Sequence, residues 1–493
     1  MAQDAHNVLE QVAEERSPQD YPQAPEKSKW DHLWPVIACG AGLFSDGYLN
    51  GVIGSVSTML ATIYPKEYAE STAQSNVSSV TFASTLLGNL LFGWTSDHWS
   101  RKWSLFVSTV IIIVFAALST GSYGAGGSIQ GSGEYPAGSV SCAESTGELK
   151  SGTRHRWFIL FTNVQIDAGF VVAALVPMIV ARIAGDDHLR VAWYVRFESL
   201  RKDADDFHRR ICMGLGVIPP LSLLYLRLKL HEPEAFTTAS MVKAKTPWVL
   251  CIKFYWFRLT IVSLIWLLYN FSSYAFNIFS SQILANLLGE NSSLWVSFGW
   301  NTLLTSFYMP GCIAGSWLSD WSGPKKALGY SVLVQEIIGF IMAGCYSYLY
   351  RPSLVAAFVV VYGIFIALGE LGPGDNIGLI ASKTCATSVR GKYYGIAEPS
   401  RGTLVMLYNQ YANSDPVKAG QYPFFIASTL CIVTAGLALF LLPHIGQDTI
   451  EKEDERFRAY LIENNCDVGQ LGIKRGQMLE TELAAVESAK LAL

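Results

Sequence analysis

Apolar residues run in long blocks along this chain rather than alternating. Ser71–Ser96, Trp103–Gly133, Leu259–Gly289 and Ser292–Ser319 contain no Asp, Glu, Lys or Arg. Each is long enough to cross a hydrocarbon core of about 30 Å as a helix. The strands of an outer-membrane-type barrel would instead alternate over about ten residues, so that architecture is excluded. Helical spans are predicted at 34–59, 76–96, 103–123, 157–182, 211–228, 259–287, 293–318, 327–349, 353–381 and 421–443. Two weaker stretches complete the set. Residues 124–147 are Gly/Ser-rich, and 391–412 are interrupted by Glu398, Pro399 and Arg401. Counting both gives twelve spans, six on each side of a charged stretch from Leu228 to Arg258.

The pattern therefore predicts an all-α polytopic membrane protein. It divides into a disordered tail at 1–33, a six-helix half at 34–230, a linker at 231–257, a second six-helix half at 258–445 and a tail at 446–493. In that tail, the segment opening at Thr449 has an N-cap and an acidic first turn and reads as a solvated helix.

A repeat supports the halving. Trp94-Thr-Ser-Asp97 closes span two and is followed by Arg101 and Lys102; Trp317-Leu-Ser-Asp320 closes span eight and is followed by Lys325 and Lys326. Two parallel six-helix repeats are the architecture of a rocking transporter. Basic residues here and in the loops after spans four and ten place those loops, and both termini, in the cytoplasm. The segment Asp186–Arg210 breaks this rule, since it carries Arg190, Arg196, Arg201, Lys202, Arg209 and Arg210 in a loop expected outside.

Composition agrees with the span pattern. Of 493 residues, 51% are hydrophobic and 15% charged, with a net charge of −4; soluble proteins average about 25% charged. A soluble enzyme, a disordered protein and a nucleic-acid binder are excluded. The polar N-terminus has no signal-peptide core, so the first span must act as its own anchor. Nine scattered Cys read as small buried hydrophobes. No metal-ligand spacing, catalytic constellation or cofactor motif stands out, and Gly124–Gly131 lacks the Lys-Ser/Thr of a phosphate loop.

Candidate chemistry lies in the spans. A charge at mid-membrane costs about 2.5–3.5 kcal/mol on insertion scales, so it is rarely idle. Asp46 is the sole charge of span one, beside Gly42, Gly47 and Gly51, which form a small-residue face. Glu134 adjoins Tyr135 and Pro136 in span four. Gln165 and Asp167 lie on different faces of span five. Glu370 and Asp375 bracket a Gly/Pro-rich break in span ten, and Glu336 lies midway along span nine. Trp266, Asn270, Tyr274 and Asn277 form one stripe of span seven.

These residues resemble the phosphate and organophosphate:proton symporter branch of the major facilitator superfamily. Asp97, Arg101 and Lys102 are similar to its cytoplasmic-loop motif, and Gly133-Glu-Tyr-Pro-Ala-Gly-Ser139 to its span-four signature. Within the branch, the runs from Gly133, Ser382 and Ile445 resemble fungal glycerophosphodiester permeases. The resemblance implies a twelve-helix bundle of two halves, with helices four and eleven incomplete here. It implies proton coupling by Asp46 and Glu134, and substrate contacts from Tyr135, Gln165, Trp266, Asn270 and Tyr274. Asn277 extends the stripe, Arg401 stands near the family's span-eleven Lys, and Asp97, Arg101, Lys102, Asp320 and Lys325 form gating loops. Asn270 replaces an Asp of the inorganic-phosphate members. The implied function is proton-coupled import of a small anionic glycerophosphodiester across a plasma membrane by a monomer, without cofactor or nucleic acid. The alternatives are an inorganic phosphate:proton symporter, and a transport-deficient chain or nutrient sensor.

The Tyr194–Arg209 insert and the two incomplete spans predict a chain that folds poorly and transports little. A version without the insert and with full-length spans four and eleven is expected to exceed it in surface expression and uptake. Equal values for the two versions would contradict that expectation.

Overall fold

In the computed structural model, residues 29–63, 68, 71, 73–121, 134–184, 210–242, 246–289, 292–398 and 416–466 are described. The Tyr194–Arg209 insert and the Gly-rich start of span four lie outside them. Regular structure among them is helical. The first half holds α1 (Lys29–Ile63), α2 (Ala73–His98), α3 (Arg101–Gly121), α4 (Glu134–Thr146), α5 (Arg154–Phe161), α6 (Asn163–Ala184) and α7 (Ile218–Leu228). The short α8 (Glu234–Ala239) leads to the second half: α9 (Trp248–Leu288), α10 (Leu294–Ser306), α11 (Tyr308–Ser322), α12 (Pro324–Leu349), α13 (Val355–Gly369), α14 (Asp375–Lys383), α15 (Arg390–Ala397) and α16 (Pro416–Gly436). Helix α17 (Thr449–Glu463) follows. Eight of the described helical segments are long and apolar enough to cross a membrane.

Three spans differ from expectation. Helix α9 opens at Trp248, inside the stretch read as linker, and its 41 residues extend about 60 Å. Charge at Lys253 and Arg258 marks the membrane border without ending the helix. The span at 293–318 is two helices that break at Phe307. The span at 157–182 is likewise two helices, α5 and α6, which part at Thr162. Span ten is α13 and α14 joined by a π turn, Glu370–Gly374, at the Gly/Pro-rich break that the sequence predicts. Pro373 within that turn offers no N–H to the helical ladder, and the register widens there.

Helix packing follows side-chain size. A Cβ on Gly47 would lie 2.1 Å from the Ile166 carbonyl oxygen, and one on Gly51 2.9 Å from the Ala173 Cβ. The small face of α1 therefore lets α6 approach at backbone distance, where dispersion is strongest. One apolar cluster runs across both halves, joining Leu43, Val140 and Phe170 to Ile265, Trp266 and Ala397. Outward, Leu87, Leu118, Ile183, Val249 and Phe440 are more than half exposed. In water such a girdle would aggregate, whereas in hydrocarbon it is matched to its solvent.

Gly47→Leu is expected to separate α1 from α6 and abolish recovery of monodisperse, detergent-extracted protein. Gly344→Leu, where a Cβ meets nothing within 4 Å, is expected to leave recovery unchanged. Size-exclusion profiles of the two variants provide the check.

Candidate functional site

The repeated Trp-x-Ser-Asp segments sit at one end of the bundle, here called the Asp97 face. Each Asp reaches into the other half. The Asp97 carboxylate accepts the backbone N–H groups of Gly391 and Lys392, both at 2.8 Å. These amides open α15, so the carboxylate meets unsatisfied donors and the positive end of a helix dipole. Asp320 accepts the N–H of Arg156, in the first turn of α5, at 3.3 Å. The two halves thus cap each other's helices.

Charge reinforces the Asp97 cap. Arg101 Nη1 donates to Asp97 Oδ1 at 2.7 Å, and its Nε and Nη2 grip Glu144 at 3.0 and 2.8 Å. Nη2 also donates to the Thr387 carbonyl at 3.1 Å. Arg390, from the second half, donates to the same Glu144 oxygen at 2.9 Å. All four charged side chains are buried. Helices α2 and α15 can meet because Gly93 and Gly391 face each other: a Cβ on either would lie 2.5 Å from the other's carbonyl oxygen. The remaining gate-loop residues are peripheral. Lys102 lies over the Trp103 ring at 5.8 Å, and Lys325 Nζ donates to the Leu442 carbonyl at 2.6 Å.

Helix α17 is docked rather than solvated. Ile450, Phe457 and Leu461 are buried, and the Phe457 ring lies 5.3 Å from Tyr255 of α9. Gln447, just before it, donates to Asp320 at 3.1 Å and accepts the Arg154 N–H at 3.1 Å. Asp454 accepts the Thr387 N–H at 2.6 Å. Burial holds the Asp454 carboxyl above its ordinary range, against the pull of Arg390. Burial likewise raises Asp320, opposed by Gln447 and the Arg156 N–H.

Toward the membrane interior, Asp46 is buried on α1, and Trp266 and Asn270 are buried on α9. The Trp266 ring meets Tyr394 of α15 edge-on at 5.2 Å. Both polar atoms of the Asn270 amide are buried without a hydrogen-bond partner among the described residues. Gln165 is half-buried and turns its Nε2 to the Leu160 carbonyl at 3.4 Å. Glu134 and Tyr135 open α4, and Tyr274 and Asn277 lie on α9, but these four side chains lie outside the described residues, as does Arg401. At the end opposite the Asp97 face the halves also meet. Thr58 of α1 donates to Ser281 of α9 at 3.1 Å, and Arg182 lies over the Trp295 ring at 5.3 Å.

Sequence reasoning passed over Glu144, Asn163, Tyr269 and Tyr394. Glu144 carries a signal that could have found it, a carboxylate ten residues after Glu134 in a weakly apolar span. The other three are neutral residues in apolar helices and carry no such signal.

The chain matches the Sugar (and other) transporter family over residues 34–246 and 234–457. It is 42% identical over 473 residues to the major glycerophosphoinositol permease of Candida albicans, covering 90% of this chain and 84% of the relative. Against the glycerophosphocholine permease of the same organism it is 40% identical over 491 residues, covering 94% and 88%. In fold it is similar to a proton:xylose symporter of the major facilitator superfamily solved with 6-bromo-6-deoxy-D-glucose. The TM-score is 0.65 at 14% identity, over 86% of this chain and 98% of that one.

Glu144→Ala would leave Arg101 and Arg390 buried without their shared carboxylate. Breaking a buried ion pair from one side costs about 3–5 kcal/mol. The Asp97 face is therefore expected to open, and Cys385, fully buried beside Arg390, to become reactive. Peptide mapping after maleimide labelling checks this, and unchanged Cys385 labelling would contradict it.

Proposed function

The chain belongs to the sugar (and other) transporter family, as a multi-pass major facilitator protein and not an enzyme, and from that premise we propose that it imports a glycerophosphodiester together with protons by alternating access. The observation that carries the substrate class is similarity at about 40% identity over nine-tenths of the chain to glycerophosphoinositol and glycerophosphocholine permeases. The Asp97 face is assigned to the cytoplasm of a plasma-membrane protein with both termini inside, in keeping with its basic loops. The twelve-helix count follows from the same reading.

In this mechanism Asp46 and Glu134 carry the protons. Their neutralisation lowers negative potential between the halves and admits an anionic phosphodiester. Tyr135, Gln165, Trp266, Asn270, Tyr274, Asn277 and Arg401 hold it. Asn270 supports this assignment, since a buried amide with no partner among the described residues is costly unless something else satisfies it. A neutral amide there suits a monoanionic diester, where a carboxylate would repel it. Release follows when the caps at Asp97 and Asp320 separate and the carboxyls lose their protons to the cytoplasm.

The deciding experiment is radiolabelled uptake in a transporter-null host, comparing glycerophosphoinositol, glycerophosphocholine and phosphate. Acid-stimulated uptake of a diester is expected; uptake of phosphate alone would favour the inorganic-phosphate reading. Asp46→Asn is expected to reach the membrane and lose acid-driven uptake, and an unchanged pH profile would contradict the role of Asp46. Asn270→Asp is expected to weaken diester binding about tenfold by like-charge repulsion. Because the diester has no second ionisation near neutrality, the penalty should be the same at about pH 5 and pH 7 by competition.

A further inference from the structure

Inside the bundle the structure buries three carboxyl groups at the seam between the halves. Asp167 of α6 is 1% exposed, Glu370 in the π turn 5%, and Asp375 at the start of α14 1%. One side chain ties the halves together here. Asn163 Nδ2, on α6, donates to Glu370 Oε2 at 2.8 Å and to Asp375 Oδ1 at 3.0 Å. Tyr269 of α9 donates its hydroxyl to Glu370 Oε1 at 3.0 Å, and the Cys312 thiol of α11 donates to Asp375 Oδ1 at 2.7 Å.

Every one of these donors is neutral. Among the described residues, no Lys, Arg or His lies within ion-pair distance of the three carboxyls. The described neighbouring elements supply no countercharge either. Helix α12 presents Ser331 and Gln335 to the turn, while its Glu336 lies toward its half-exposed side. Helix α13 has no ionisable group but Tyr362, and α1, packed on α6, carries Asp46. Lys383 is two turns further along α14 and donates to the Gln447 carbonyl. Two carboxyl oxygens, Asp167 Oδ2 and Asp375 Oδ2, are buried and accept no hydrogen bond among the described residues. An ionised carboxylate needs donors on both oxygens, whereas a protonated one turns an oxygen into a donor. Three negative charges in mutual reach, with no countercharge among the described residues, are strongly disfavoured in a low-dielectric interior; such groups neutralise instead.

We propose that Asp167, Glu370 and Asp375 form a proton-binding triad that must be protonated for the two halves to close at the Asp97 face. When that face opens, water reaches the seam, protons leave to it as hydronium, and Asn163 loses its hold on Glu370 and Asp375. The remaining charges repel across the seam, Asp167 on one side and the α13–α14 pair on the other. The halves stay apart until protons return. The triad thus adds a second set of proton carriers to Asp46 and Glu134. Its role in coupling rests on the proton-coupled reading above, whereas its protonation does not.

The first test is infrared difference spectroscopy of the full chain in lipid nanodiscs at neutral pH. The wild type is expected to show the carbonyl stretch of protonated carboxylic acids, shifted by deuterium exchange. Asp167→Asn, Glu370→Gln and Asp375→Asn made singly are expected to reduce it, with at least two of the three doing so. A band unchanged in all three would overturn the proposal. The second test compares substrate counterflow with acid-driven uptake in the triple variant. Counterflow is expected to persist while uptake becomes equal at acidic and neutral pH; acid stimulation equal to wild type would overturn it. Wild type without acid-stimulated diester uptake would sink the coupling reading alone, and the infrared result would still decide the triad.

Discussion

A carboxylate from each half closes on backbone amides of the other, and the closed arrangement of this protein depends on that exchange. Asp97 receives the opening N–H groups of α15, and Asp320 that of α5. A helix start carries unsatisfied donors and about half a positive charge. Burying it at a seam requires an anion, and burying the anion requires those donors. Neither half can satisfy both needs alone, so the repeat becomes a reciprocal clasp. Arg101, Glu144 and Arg390 extend it on one side, while Gln447 and α17 extend it on the other.

Because these are caps and ion pairs rather than apolar packing, the contact is geometrically specific and reversible. Separating it exposes groups that water solvates well. An apolar seam of the same area would have no such compensation in the open state. The docked α17 adds an aromatic contact with Phe254 and Tyr255 of α9 and a hydrogen bond to Thr387, so the segment after α16 takes part in the same closure.

Much of this was legible along the chain. Long apolar blocks identified a polytopic helical protein, since hydrocarbon excludes charge over a fixed thickness. The Trp-x-Ser-Asp repeat located both halves of the clasp, because related halves keep the side chains that perform the same task. What Asp97 and Asp320 bind was not legible, since backbone amides of Gly391, Lys392 and Arg156 leave no trace in residue identity. The α9 start was misjudged because Lys253 and Arg258 suggested a loop, although a helix continues past the membrane border without penalty. The amphipathic pattern of α17 was visible, but nothing in it distinguished docking from solvation. Asp167, Glu370 and Asp375 each stood out singly, while their meeting depends on Asn163, a neutral residue, and on the turn at Pro373.

The seam therefore contains two kinds of polar contact, and the difference matters for a rocking protein. At the Asp97 face, cations pair directly with anions, as Arg101 does with Asp97 and Glu144 and Arg390 with Glu144. In the interior, among the described residues, carboxyls meet only neutral donors from Asn163, Tyr269 and Cys312, and the Asn270 amide meets none. A fully satisfied interior would hold one state too well to move. Groups that lack partners in the closed chain are those whose free energy changes most when a proton or an anion arrives. Only ligands that bind one state better than another can shift an equilibrium between states. The paired charges at the face thus set which closed state exists, and the incompletely partnered groups inside set what can open it.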